Sequence, residues 1–357
     1  MKQCAYMAWA KAHAPARYNL ANSGLVACTS EEFPLAGETI PIQGANPDGW
    51  PPLKEAIAST YGVKTEQVVL AQGTSGANFL ALASLIERDD EVLIERPVYE
   101  PLLSAARFLG AKVKRFHRTL EEGYRLDVPA LRGLLTPSTR LIVLTSPHNP
   151  SGVVASPDEL AALGDLAAEA GIPVLLDEVY RDSLFEEAPP SAATLGASFV
   201  ATNSLTKSYG LSSLRCGWIL AASARAEKMR RLNDLMAATG PLPAEAMGRL
   251  AFERLPALTA RSRSILEPNR RLIGDFLARH AALLQGVLPS RSMTVFPRLK
   301  SDITADVLLD QLRPRETSIV PGRFFEEPRH FRIGFGIRTA DLEEGLRRLS
   351  VALRKGP

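Results

Sequence analysis

Short apolar runs recur through the first part of the chain, each closed by a polar or glycine-rich turn. Between them lie stretches in which apolar residues return at helical spacing. Gln67 to Gln72, Glu91 to Ile94, Arg140 to Leu144, Ile172 to Leu176 and Phe199 to Ala201 read as buried strands, and Trp218 to Ala221 as one more. Pro51 to Tyr61, Gly73 to Ile86 and Pro157 to Ala170 read as helices. This alternation predicts an α/β fold, a mostly parallel sheet with helices on both faces whose ligands bind outside the carboxyl ends of the strands. Beyond Ala221 the texture changes. Leu250 to Leu284 is largely helical, with Arg261, Arg263, Arg270 and Arg271 read as a solvated basic face. From about Met293 short strands and helices mix, which predicts a second, smaller α+β domain. At the other end, Tyr6 to Asn22 reads as a short amphipathic helix followed by an extended segment.

A chain of 357 residues exceeds the usual size of a single core. With 46% hydrophobic and 23% charged residues it falls outside the collagenous and disordered classes. Its net charge of +3 is not gathered into long runs, so a nucleic-acid partner is not expected. The three cysteines, Cys4, Cys28 and Cys216, are an odd number without metal-ligand spacing, which points to a reducing compartment, the cytoplasm. Lys2, the apolar run Cys4 to Ala10 and Ala12-His13-Ala14 imitate a leader, but Lys11 interrupts the pattern. No segment is apolar for long enough to span a bilayer, so no membrane partner is expected.

The turns after the strands carry the candidate chemistry, at Gly73, Tyr99, Asn149, Asp177 and Lys207. Lys207 closely follows the run Phe199 to Ala201. An ammonium there finds a partner or loses its charge, and its pKa falls when it is desolvated or set beside another cation, for which Arg215 is the candidate. The neutral amine is a nucleophile that forms a Schiff base with an aldehyde. Ser204 and Arg215 supply a hydroxyl and a forked cation, the donors that hold a phosphate. Aldehyde plus phosphate suggests pyridoxal phosphate; the competing reading is a solvated loop lysine.

Gly73-Thr74-Ser75-Gly76 opens a helix whose free N–H groups suit a phosphate. It also reads as a plain tight turn or, with Glu95 about twenty residues on, as part of a dinucleotide fingerprint lacking the full Gly-x-Gly-x-x-Gly. Asp177 ends an apolar strand, and a buried carboxylate needs a partner. A protonated pyridine nitrogen would satisfy it and keep the ring an electron sink; a magnesium ligand or a helix cap are the alternatives. Asn149 lies between Pro147 and Pro150, so its amide is aimed. His148 reads as a packing or supporting residue rather than a base. Arg332, on an apolar strand, suits a carboxylate or a structural ion pair. Gly24 is a turn glycine or a point where a side chain would collide with a ligand.

Ser204-Leu205-Thr206-Lys207-Ser208-Tyr209-Gly210-Leu211-Ser212-Ser213-Leu214-Arg215-Cys216-Gly217-Trp218 resembles the lysine segment of the class I/II, fold type I pyridoxal-phosphate aminotransferases. The likeness runs from about Tyr18 to Phe335 and takes in Pro147, Asn149, Pro150 and Gly152. It implies a large cofactor-binding domain at 41–239 and a small domain formed by 1–40 and 240–357. It implies that Lys207 holds pyridoxal 5'-phosphate and serves as general base and acid. By the same resemblance Asp177 faces the ring nitrogen, Tyr99 stacks on the ring, and Asn149 and Tyr180 meet the phenolic oxygen. Gly73, Thr74, Ser75, Ser204 and Arg215 then hold the phosphate, while Gly24, Asn149 and Arg332 hold the substrate, with Arg332 on its α-carboxylate. The implied activity is transfer of an amino group from an L-amino acid to a 2-oxo acid, in a homodimer.

Two positions depart from the family pattern. Gln43 stands where a tyrosine reaches the partner subunit's phosphate, and Lys54 replaces an arginine. A lyase, decarboxylase or synthase on the same scaffold is the nearest alternative. A histidinol-phosphate type transaminase would use Arg323 and Arg329 as a second anion site. A non-catalytic effector-sensing module of a transcription regulator would need a DNA-binding domain ahead of Gln43.

Overall fold

The computed structural model describes residues 3–13 and 15–355; Lys2 and Ala14 of the leader-like pattern lie outside the described residues. The apolar runs form one sheet: β1 (Val68–Gln72), β2 (Glu91–Arg96), β3 (Lys112–His117), β4 (Thr139–Thr145), β5 (Val174–Asp177), β6 (Phe199–Ser204) and β7 (Cys216–Ala221). Their spatial order is β1-β7-β6-β5-β4-β2-β3. All neighbours run parallel except β7, which is antiparallel to both β1 and β6. Because β7 returns beside β6, the turn carrying Lys207 and Arg215 is brought back to the end of β1, where Cys216 pairs with Gln72.

Helices α1 (Ala5–His13), α2 (Pro51–Tyr61), α3 (Gly73–Leu85), α4 (Glu100–Phe108), α5 (Val128–Arg132) and α6 (Pro157–Ala170) precede or interleave with these strands. After β7 come α7 (Ser223–Met236), α8 (Leu242–Glu253), α9 (Leu255–Arg279), α10 (Ala305–Leu312) and α11 (Thr339–Lys355). One face of the sheet packs Val69, Ile94, Val143, Leu175, Val200 and Ile219 against α3, α4 and α7. The other packs Leu93, Ile142, Leu144, Leu176 and Phe199 against α5 and α6. At the β1-β7 end, Leu53 and Ile57 of α2 and Phe252 of α8 close over Trp218 and Leu220. With helices on both sides the central strands are apolar along most of their length, which is why they were visible as continuous runs. Helix α6 begins and ends where its pattern says, because Ser156 and Glu159 form a reciprocal capping box and Gly171 adopts the left-handed cap at φ 67°.

Strand β3 escaped the hydrophobic pattern. It is Lys-Val-Lys-Arg-Phe-His at the sheet edge, with only Phe116 buried, the charged composition that protects an edge from pairing further.

A smaller α+β unit has its own core. Phe331–Gly334 forms the middle of a three-stranded antiparallel sheet between Thr294–Val295 and Val320–Pro321. Leu20, Phe296, Ile319, Phe325, Phe331, Ile333 and Leu342 are buried in this core, with Tyr6 and Trp9 of α1. Tyr18–Asn19 pairs in parallel with Thr317–Ser318, tying the N-terminal segment to the far end of the chain. The basic face of α9 is not uniformly solvated, as the sequence suggested. Arg261 donates to the Val26 and Ala27 carbonyls, Arg270 to the Pro289 carbonyl, and Arg263 pairs with Glu186 and Glu267; among these only Arg271 is exposed. A 25-residue helix crossing from one core to the other lays these long side chains along protein rather than water.

Candidate active site

The carboxyl ends of β4, β5 and β6 open into a cavity of about 490 Å³. Thr74, Ser75, Tyr99, Asn149, Asp177, Tyr180, Ser204, Lys207 and Arg215 line it together with Met7, Lys11, Asn78, Thr145, Val179 and Thr206. Lys207 Nζ donates to Ser23 Oγ at 2.9 Å. Its pKa is pushed down to about 8, first by burial and next by the charge of Arg332, with Asp177 pulling the other way. Arg215, the neighbour expected from sequence to do this, contributes least. The sheet explains the difference: Arg215 turns back toward β1, while Arg332 arrives from the smaller unit.

Asp177 is 4% exposed. Its Oδ2 accepts from Asn78 Nδ2 at 2.8 Å and its Oδ1 from the Val179 N–H at 3.0 Å. No described cation pairs with it, and burial pushes its carboxyl up to about 6. No group of acidic, histidine and cysteine side chains among the described residues is arranged to hold a metal ion. The Tyr180 hydroxyl is buried with no well-aligned partner, as is Thr206 Oγ1. Burial pushes the Tyr180 phenol up to about 12 against the opposing pull of Arg332 and Ser23, so it stays an O–H donor.

At the start of α3, Gly73 has φ +68°, and a Cβ there would lie 2.4 Å from Arg215 Nη2. The guanidinium therefore rests against the glycine and donates to the Gln72 carbonyl at 3.0 Å. Thr74 Oγ1 donates to Ser204 Oγ at 2.8 Å. The N–H groups of the first turn beyond Gly73, whose own N–H donates to the Arg215 carbonyl at 2.7 Å, these hydroxyls and an arginine without a carboxylate partner among the described residues make a cradle for a phosphate. Gly24 lies against the lysine, where a Cβ would come 3.3 Å from Lys207 Cδ. Tyr99, at the N-terminus of α4, forms a side wall.

Arg332 is fully buried and has no carboxylate partner among the described residues, which removes the ion-pair alternative. Nη1 donates to Asn149 Oδ1 at 3.0 Å, and Nη2 donates to Tyr6 Oη at 2.8 Å and the Ala21 carbonyl at 3.0 Å. Thr145, behind Asn149, accepts from the Asn149 N–H at 2.8 Å through its hydroxyl.

Asn78, Ser23, Thr145, Thr206 and Tyr6 were not anticipated. Asn78 carried a readable signal, a buried amide in an apolar helix four residues after Thr74 and so on the same face. The others lie far along the chain from their partners or on short turns without a period.

The dinucleotide alternative fails on Glu95. This carboxylate is buried against Arg118 at 2.9 Å and accepts from the Thr145 N–H and hydroxyl at 2.7 Å each, so no ribose reaches it. His148 donates from Nε2 to the Pro97 carbonyl at 2.9 Å and accepts at Nδ1 from Ser151 at 2.7 Å. Burial and nearby Arg118 hold it well below the ordinary histidine range, so it packs as a neutral ring. Arg323 and Arg329 pair with Asp306 and Asp302 near the surface, outside the cavity, and form no second anion site there. Gln43 is exposed and does not line the cavity.

Together these residues fit a phosphorylated aldehyde with a basic ring nitrogen: an amine of lowered pKa, a buried carboxylate short of a cation, an orphaned phenol and a phosphate cradle. A family model for class I and II aminotransferases matches residues 41–349. The chain belongs to that family. It is a transaminase dependent on pyridoxal 5'-phosphate, with the fold type I architecture. A capreomycidine synthase of Streptomyces vinaceus is 30% identical over 304 residues, covering 84% of this chain and 78% of the relative. An aspartate aminotransferase of Streptomyces avermitilis is 26% identical, covering 85% and 80%. The crystal structure of a PLP-dependent aminotransferase from Streptococcus suis superposes with a TM-score of 0.92 at 30% identity, covering 99% of this chain and 98% of that one.

Proposed function

We propose that Lys207 and Asp177 bracket the cofactor and that Arg332 receives the α-carboxylate of an L-amino acid, whose amino group passes to a 2-oxo acid. The observation that carries this reading is one cavity lined by both the Lys207 amine and the buried Asp177 carboxyl, neither joined to an ion-pair partner among the described residues. When bound, pyridoxal phosphate supplies an aldehyde for amine exchange and a ring that takes up the electron pair left at Cα. Asp177 binds the ring nitrogen and keeps a proton there, gaining the cation its burial lacks. Asn149 and Tyr180 donate to the phenolic oxygen, and Tyr99 covers the ring. Thr74, Ser75, Ser204, Arg215 and the start of α3 at Gly73 hold the phosphate, with Thr206 as a further hydroxyl. Lys207 Nζ would remove the Cα proton and return it to the former aldehyde carbon, two atoms away across the nitrogen, acting as general base and then acid. Arg332 and Asn149 orient the carboxylate, and Gly24 leaves room for the substrate beside the lysine.

Residues 41–239 form the cofactor-binding domain in this proposal, and 1–40 with 240–357 the small domain, a division supported by the core around Phe296 and Phe331, while Phe252 of α8 packs on the large sheet across that boundary. A homodimer is supported by large apolar side chains left open on one copy, with Ile42 at 88% and Leu235 at 84% exposure. The three unpaired cysteines support a cytoplasmic location. No helix of the described residues is long and apolar enough to cross a membrane. The test is borohydride reduction of the cofactor-loaded enzyme followed by peptide mapping, then turnover of a panel of L-amino acids with and without 2-oxo acid. A label on Lys207 and turnover that needs the oxo acid are expected. A label elsewhere refutes the site, and turnover without oxo acid assigns a synthase or lyase reaction instead.

A further inference from the structure

Arg332 does not itself line the cavity but meets its wall through Asn149, and it is held there in company. Helix α1 is anchored at its start by Glu100, whose two carboxylate oxygens accept from the Ala5 N–H at 3.0 Å and the Tyr6 N–H at 2.6 Å. This fixes the Tyr6 ring among Tyr99, Phe324 and Phe325, at centroid distances of 5.7, 5.8 and 6.1 Å. The guanidinium carbon of Arg332 stands 5.5 Å from the centre of the same ring. Tyr6 Oη accepts from Nη2 of Arg332, and its own proton meets no acceptor among the described residues.

The donor inventory around the guanidinium decides what that proton can do. Arginine only donates, and a carboxylate only accepts. Of the three oxygens that accept from Arg332, Asn149 Oδ1 and the Ala21 carbonyl have no hydrogen to offer; the Tyr6 hydroxyl has one. Three of the five guanidinium N–H groups meet these oxygens and Nε meets none among the described residues, so an incoming carboxylate finds free N–H groups beside the Tyr6 hydroxyl. A phenol can turn from accepting to donating without leaving its place.

We propose that Tyr6 is a substrate-binding residue, its O–H donating to the α-carboxylate that Arg332 holds, so that α1 forms part of the substrate site. The assignment rests on the reading of Arg332 given above. A hydrogen bond to a charged acceptor in a buried site implies a loss of about ten- to a hundredfold in affinity when the hydroxyl is removed.

Tyr6→Phe keeps the ring and its packing and removes only the hydroxyl. Cofactor-loaded enzyme is titrated calorimetrically with 4-methylpentanoate, 3-phenylpropionate and glutarate, carboxylates without an amino group to react, and the tightest is compared with its primary amide. Tyr6→Phe is expected to weaken the carboxylate at least about tenfold and the amide less than about twofold, with the thermal midpoint lowered by only a few degrees as the buried Arg332 Nη2 loses an acceptor. Equal weakening of acid and amide, or carboxylate affinity within about twofold of the parent, overturns the assignment. Arg332→Gln separates the two levels. If that variant loses the carboxylate while Tyr6→Phe keeps it, Tyr6 alone is wrong; if it keeps the carboxylate, the Arg332 reading falls and takes this one with it.

Discussion

Replacing Asp177 by Asn tests whether the carboxylate is a structural hub or a group held ready for a cation. Burial raises its pKa from 3.8 to about 6 in the folded protein. An acid whose folded pKa is raised holds its proton more tightly when native. Stability is therefore lost as pH climbs from about 4 through 6, and the full loss is present above that range. The rise corresponds to about 3 kcal/mol at pH 8 and roughly 1 to 2 kcal/mol at pH 5. Asp177→Asn removes this penalty but weakens the hydrogen bonds from Asn78 and the Val179 N–H, a loss of about 1 to 2 kcal/mol. The cofactor-free variant should thus be more stable than the parent by about 1 kcal/mol at pH 8 and about equal to it at pH 5. Urea unfolding of both proteins at the two pH values measures this, and the difference between variants cancels the titrating groups that do not interact with Asp177, leaving Lys207 as the neighbour that responds to the change. With cofactor bound the sign reverses, and turnover should fall by about a hundredfold or more as the ring nitrogen loses its carboxylate. If Asp177→Asn destabilises the cofactor-free protein equally at both pH values, the carboxylate is part of the scaffold and the reasoning is wrong.

Reattachment of cofactor to the stripped enzyme, followed by stopped-flow absorbance, should speed up about tenfold per pH unit below pH 8 and level off above it, as the Lys207 amine passes from half neutral to mostly neutral. A rate still climbing at pH 10 would indicate an ordinary solvated lysine. Gly73→Ala places a Cβ against Arg215 and a side chain at φ +68°; cofactor affinity in equilibrium dialysis should drop about tenfold, with a stability loss of about 1 to 2 kcal/mol. Unchanged affinity would remove the phosphate from this turn. Trp218→Ala empties a fully buried position between Tyr61 and Phe252 and should lower stability by about 3 to 5 kcal/mol in urea titration, whereas a change below about 1 kcal/mol would contradict the packing.

What was legible along the chain was local. Strands β4, β5 and β6 are covered on both faces, so burial writes itself into composition, and the residues at or just past their ends, Asn149, Asp177 and Lys207, sit at the one edge where a parallel sheet leaves ligands room. Strand β3 was hidden because an edge strand carries charge for protection rather than apolar residues for packing. Arg261, Arg263 and Arg270 misled because a long basic side chain looks the same in sequence whether it reaches water or a carbonyl on another segment.

The sequence by itself determined the order of strand, turn and helix, and which turns end in an amine, a carboxylate or an amide, because periodicity and capping act over a few residues. Only the tertiary structure decided who faces whom. The antiparallel return of β7 carries Arg215 to Gly73, and Arg332 instead becomes the main charge bearing on Lys207. Tyr6 meets a guanidinium 326 positions away. Contacts of that span leave no periodic trace, since they are set by how two separately packed cores close on each other.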